Sequence, residues 1–177
     1  MDARQTIWFL VLALTLFAAF WDLRTRRIPN WLTVSAFCLG AVIRTWMGGW
    51  RGAMTALEGT ALALGILLPL VLLRALGAGD WKLMGAVGAI VGPLMLLFIL
   101  FASIFVSGFM AVVMMIQAKR VRATLRNLLV LTRGLLSFGL RASPEISLDN
   151  PALLKLPFGV AAAVGTLICF AAAQLGI

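Results

Sequence analysis

The chain of 177 residues carries 15 Lys and Arg against 6 Asp and Glu, a formal net charge of +9, yet 63% of its residues are hydrophobic and only 12% are charged. With a mean hydropathy of +1.07, that much apolar surface exceeds what a soluble core of this size can hide, so the sequence predicts an integral membrane protein. The absence of histidine removes Ser-His and Cys-His nucleophilic chemistry and leaves a metal or haem cofactor almost without ligands.

Each spanning helix needs roughly 20 apolar residues, and the sequence has room for about six. The fold expected is therefore all-α, one membrane domain over residues 1–177. The first span is the run Thr6 to Phe20, closed by Trp21-Asp22-Leu23-Arg24-Thr25-Arg26-Arg27. No small-residue cleavage site follows it, so it reads as a transmembrane helix rather than a removed signal. Pro29 then breaks the helix, lacking an amide donor and holding Ile28 extended. A second span runs from about Trp31 to Trp46, a glycine-containing turn from Met47 to Gly52 reverses it, and a third from about Met54 to Leu73, containing Glu58, returns to Arg74. Ala75 to Lys82 is expected to be a loop.

From Leu83 to Gln117 there are 35 residues without a charge, roughly 50 Å as one helix, against a hydrocarbon core of ~30 Å. The run must turn, and Gly92-Pro93 is the better breaker than Ser107-Gly108, which leaves one piece too short to span. Between Lys119 and Leu140 the basic positions 119, 122, 126 and 133 share one helical face and Val121, Leu125, Leu128, Leu135 and Leu136 the other. That pattern predicts an amphipathic helix on the inner headgroup layer, within an interfacial segment of about 119–156. Arg141 to Asn150 reads as a loop, and a last span covers about Val160 to Ala173. Twelve basic residues then fall inside (Arg24, Arg26, Arg27, Arg74, Lys82, Lys119, Arg120, Arg122, Arg126, Arg133, Arg141 and Lys155), against Arg4, Arg44 and Arg51 outside. Basic residues that flank apolar runs suit membrane lipids and not nucleic acid. Cys38 and Cys169, far apart in apolar runs, are expected to be buried packing thiols.

On this topology Asp22 and Asp80 lie on the same side, each at the inner end of a helix. Two carboxyls brought close cannot both ionise cheaply, so one keeps a proton and the pair divides the roles of base and acid. Such a dyad hydrolyses an amide with an activated water, no metal and no covalent intermediate. Gly77 and Gly79 suit that use by permitting positive φ and close approach. Lys82 is expected to anchor to headgroups, and Arg26, four residues after Asp22, to pair with it. Glu58 is expected near the outer end, paired with Arg44 or Arg51. The residues alone leave open that both aspartates are ordinary helix-boundary charges, or that two acids relay protons in a proton-coupled transporter or channel subunit.

Gly77-Ala78-Gly79-Asp80-Trp81-Lys82 resembles the GxGDxK motif of type IV prepilin peptidases, the GxGD class of intramembrane aspartic proteases. Asp22 with Arg24, Arg27, Ile28, Pro29 and Asn30 resembles that family's first catalytic aspartate and the segment after it, and Pro157-Phe158-Gly159 a motif before its last helix. The resemblance implies that Asp22 and Asp80 are the catalytic pair. It implies that the substrate partner is a prepilin or pilin-like protein, cut after a short basic leader, typically after a glycine. The site would face the cytoplasm from the bacterial inner membrane. Larger members add a four-cysteine zinc region and methylate the new N-terminus. This chain has neither the cysteines nor the length for that region, and resembles the short, peptidase-only branch of Flp or tight-adherence pili.

Overall fold

The computed structural model describes residues 3–119, 121, 124–126, 129, 132 and 156–176, which are all helix and connection, with no strand among them. The elements are α1 (Ala3–Thr25), α2 (Asn30–Leu72), α3 (Ala78–Val91), α4 (Pro93–Gln117) and α5 (Phe158–Leu175). The expected surface helix over 119–140 and the loop over 141–150 lie mostly outside the described residues. Those described beyond Lys119, at 121, 124–126, 129 and 132, are helical.

Four of the helices, α1, α2, α4 and α5, are long and apolar enough to cross a membrane. Six crossings were expected, and the difference has two sources. The spans predicted at 31–46 and 54–73 run on as one element of 43 residues, and α3 has only 14. A 43-residue helix is roughly 65 Å long, twice the hydrocarbon core. It is divided at Gly49, whose φ of 55° and ψ of −139° are not helical and which a side chain would not tolerate. The predicted turn over Met47 to Gly52 is thus a bend at a single residue. Trp46 and Trp50 stand exposed beside it, where indole rings favour the membrane interface.

The two arms of α2 clasp α3. On the first arm, Gly40 leaves room for Ile90, and the Arg44 Nε donates to the Ile90 carbonyl at 2.8 Å. On the second arm, Gly59 meets Gly88 so closely that a Cβ on either would collide with the other's carbonyl. The Thr60 hydroxyl donates to the Gly85 carbonyl at 3.1 Å and the Trp81 indole N–H to the Leu64 carbonyl at 2.9 Å. Every residue from Leu83 to Val91 is buried as a result. Small residues that let backbones meet are the usual means of packing helices where lipid supplies no hydrophobic drive.

Gly92-Pro93 ends α3 as predicted: Gly92 has φ 84° and ψ 174°, and Pro93 opens α4, where its missing N–H costs nothing. α4 runs unbroken through Ser107-Gly108 and turns Phe98, Phe101, Phe105 and Phe109 outward, as suits a lipid-facing surface. α5 packs on α1 through the edge-on contact of Trp8 with Phe170, centroids 5.5 Å apart, and on α4 where Gly165 adjoins Ser103.

Several expectations are corrected by these contacts. Arg44 is spent on Ile90, and no ion pair joins Glu58, which is exposed, to Arg44 or Arg51 among the described residues. Cys38 is exposed and Cys169 half-buried, so neither is a fully buried packing thiol. The helix face that carries Cys38 turns away from α3, a rotation that no local property of the residue fixes.

Gly88→Ala should lower the thermal unfolding temperature of the detergent-solubilised chain, at about 1–3 kcal/mol for overpacking. Gly65→Ala, in the same bundle with nothing near a new Cβ, should be neutral or slightly stabilising. Equal behaviour of the two variants would contradict the α2–α3 backbone contact.

Candidate active site

α1 stops just past Asp22. Arg26 takes the left-handed conformation, φ 54°, and its N–H donates to the Asp22 carbonyl at 2.8 Å. The Thr25 hydroxyl bonds the Trp21 carbonyl at 2.9 Å. Pro29, extended at φ −69° and ψ 141°, then caps α2. The short connection between them presents buried Ile28 beside the start of α3. The Asp22 side chain is 5% exposed. Its Oδ2 accepts the Gly159 N–H at 2.9 Å from the first turn of α5.

Asp80 is in the first turn of α3, since that helix begins at Ala78 and not after Lys82 as the expected loop required. It is the third helical residue, the position from which an acidic side chain reaches back to the cap residue's backbone, and a backbone hydrogen bond from Gly77 does reach its carboxyl. Gly77 itself has an ordinary φ of −68°, and Gly79 is not among the positive-φ residues. Both glycines therefore serve close approach and not left-handed backbone. A Cβ on Gly77 would stand 2.9 Å from Asp80 Oδ2, and one on Gly79 3.1 Å from the Ile28 carbonyl oxygen. Bulk at either position would push Asp80 aside or lift α3 from the α1–α2 connection.

These contacts bring Asp22 and Asp80 to one cavity of about 260 Å³, lined also by Arg26, Arg27, Ile28 and residues 77–79. Asn30 and Lys82 do not line it. They meet beside it, Lys82 Nζ donating to Asn30 Oδ1 at 3.0 Å, which ties the start of α3 to the start of α2. Lys82 thus has a protein partner where headgroup anchoring was expected. A second cavity, about 400 Å³, opens between α1 and α2 among Leu14, Phe17, Trp31, Leu39 and other largely apolar residues. It holds no titratable side chain, whereas the first is lined by two carboxyls.

α3 lies outside the four spanning helices, and its Asp80 carboxyl is pushed up to about 7. Burial is the main cause and the Asp22 charge the second, against the Gly77 hydrogen bond that favours ionisation. Near neutral pH the carboxyl is therefore protonated about half of the time, where an ordinary aspartate has lost its proton. Because the two acids interact, that proton belongs to the pair. Two carboxyls are also all that the cavity offers a cation, and among the described residues no three or more His, Cys, Asp or Glu come together.

Gly159 is the site residue that sequence reasoning missed as such. The signal was a glycine two residues past Pro157, at the mouth of a helix, but nothing in the sequence pairs it with a side chain 137 residues away.

The raised Asp80 value has a thermodynamic consequence. The folded chain keeps a proton there that the unfolded chain releases near 3.8, so stability is lost as pH rises from that value to about 7 and stays low above it. Asp80→Asn removes the loss. Its unfolding temperature in detergent should exceed that of the wild type by a few degrees at about pH 8, with the gap closing towards about pH 4. A gap that does not change with pH would refute the assignment.

The type IV leader peptidase family model matches residues 9–112, a stretch that contains both aspartates and ends before α5. Neither the curated proteins nor the solved structures give a match. A match over more than half of the chain, on a bundle of membrane-length apolar helices, shows that this is a membrane protein belonging to the type IV leader peptidase family.

Proposed function

We propose that the chain is an aspartic endopeptidase of the GxGD type that removes the leader from prepilins or pilin-like proteins, with Asp22 and Asp80 as its catalytic pair. The observation that carries this reading is one small cavity faced by both acids, in which burial first and the Asp22 charge second push the Asp80 carboxyl up to about 7. A cavity of 260 Å³ has room for a peptide group and a water, which takes about 30 Å³.

The chemistry follows from one shared proton. The ionised carboxylate removes a proton from water as the oxygen attacks the scissile carbonyl carbon, while the protonated carboxyl donates to the carbonyl oxygen. The proton taken from water then passes to the leaving nitrogen, the C–N bond breaks, and the carbonyl reforms by returning its proton to the pair. Atoms and charge balance with water as the only co-reactant. Neither acid is given a fixed role, since the proton is shared.

We infer further that the two arms of α2 each cross the membrane, with α3 sheathed between them, so that the ends carrying Asp22 and Asp80 lie together at the cytoplasmic face of a bacterial inner membrane. The basic residues support this orientation: Arg24, Arg26, Arg27, Arg74, Lys82 and Lys119 belong to the Asp22 end of their helices, and Arg4, Arg44 and Arg51 to the opposite end. We read residues 1–177 as one peptidase domain.

Purified chain in detergent should remove the leader from a pilin precursor with a short basic leader, a glycine and an apolar segment. Asp22→Asn and Asp80→Asn should each reduce the rate by at least about a thousandfold, as expected when either half of an acid–base pair is lost. Cleavage that survives either substitution would overturn the site assignment, and an inactive wild type would overturn the reading as a whole.

A further inference from the structure

The N-terminus of α5 is an unusual helix start. The first four N–H groups of a helix have no partner within it, and here the cap residue is Pro157, with no side-chain cap hydrogen bond. The acceptor that arrives is Asp22 Oδ2 from α1, 2.9 Å from the Gly159 N–H and buried. The approach is steric as well as polar. A Cβ at position 159 would stand 3.0 Å from Asp22 Cβ, 3.1 Å from Asp22 Oδ2 and 3.2 Å from the Ala18 carbonyl oxygen, so a side chain there would make Asp22 give way by a few tenths of an ångström. The far end of α5 is held independently, by Trp8 against Phe170 and by Arg4 reaching the Ala173 carbonyl. The donor is thus fixed in place by the bundle and not by Asp22 alone.

An aspartate has two side-chain torsions, and a carboxylate that turns about them presents either oxygen, or neither, to a bound peptide. Holding one oxygen on a rigid donor removes that freedom. We propose that Gly159 is a positioning residue for the hydrolytic pair: its backbone N–H holds Oδ2 of Asp22 so that Oδ1 is the atom left to exchange a proton across the cavity with water and Asp80. This inference rests on the reading of Asp22 and Asp80 as the site of peptide hydrolysis. It adds the entry of α5 to a site otherwise built by α1 and α3, and this part of the chain lies beyond residues 9–112 that match the family.

The test replaces the Gly159 amide by an ester, through glycolic acid at that position of the full chain, which removes the N–H and adds no bulk. Steady-state cleavage of the same leader-bearing precursor is then measured. The expected result is a fall in kcat of about tenfold to a hundredfold, in the range for losing a hydrogen bond to a charged group or the alignment of a reacting one. KM should stay within about twofold, since the N–H acts on Asp22 and not on the peptide. Gly159→Ala keeps the N–H but makes Asp22 give way, and should lower kcat likewise. Gly165→Ala, on the same helix as Gly159, crowds Ser103 of α4, away from the site, and should lower the unfolding temperature while leaving kcat of the folded protein unchanged. An ester variant with wild-type kcat, or one whose loss falls in KM alone, overturns the proposal even if Gly159→Ala is impaired. A wild-type chain that leaves the precursor whole overturns the underlying reading, and this inference with it.

Discussion

Two carboxyl groups that face one small cavity at the edge of an apolar bundle cannot both carry charge without a large electrostatic cost. Water would screen them, but Asp22 is buried and Asp80 partly so, and interactions between charges strengthen as the surroundings lose polarity. One proton retained between the two relieves the repulsion. In the proposed hydrolysis the same retained proton makes the pair an acid and a base at once. Ionising the Asp80 carboxyl costs the folded chain stability as pH rises from 3.8 to about 7, a cost of the kind expected where groups are arranged for chemistry and not for folding.

That arrangement depends on glycines more than on the acids. Asp80 is near Asp22 because α3 enters the bundle as a helix from Ala78 onward and presses its first turn against Ile28, which Gly79 permits. α3 keeps this position because Gly59 and Gly88 let it lie against α2 backbone to backbone, and because Arg44 and Lys82 fasten its two ends to the first arm of α2. A 14-residue helix of this kind is too short to be a stable membrane crossing by itself. It is held by a longer partner that bends around it at Gly49. The acids are thus the visible end of a packing solution that runs the length of the bundle.

Much of this was legible in the sequence, and the reason differs from place to place. The break at Gly92-Pro93 could be read locally, because Pro93 cannot continue a helix and glycine tolerates the φ that the reversal needs. The gathering of Asp22 and Asp80 at one end could be read from apolar run lengths and the distribution of arginines, both of which follow from the membrane. What could not be read depends on which helix face meets which. The sequence predicted a turn over 47–52, yet only Gly49 leaves helical geometry. It offered Glu58 a basic partner, yet Arg44 turned to a carbonyl. It assigned Lys82 to lipid, yet Asn30, at the start of α2, is the partner. Gly159 shows the same limit, since a backbone N–H leaves no mark in sequence beyond the permissive residue that carries it.

The geometry also bears on the choice between hydrolysis and proton relay. A relay through the membrane needs proton-exchanging groups at successive depths, so that each step is short. Here both facing acids belong to one end of the bundle. The acidic residue on the second arm of α2, Glu58, is exposed and turned away from the packed interior, and the interior between them is filled by Leu83, Val87, Ile90 and the glycine contact of α2 with α3. Thr60, deep in that interface, donates to the Gly85 and Ala56 carbonyls and is fully engaged in packing. Among the described residues no further acid continues a path from the pair, and a cavity of about 260 Å³ beside both carboxyls suits the proposed addition of water to a peptide bond better than a relay. On the proposed reading the helices around the pair are its scaffold, holding both carboxyls on one cavity.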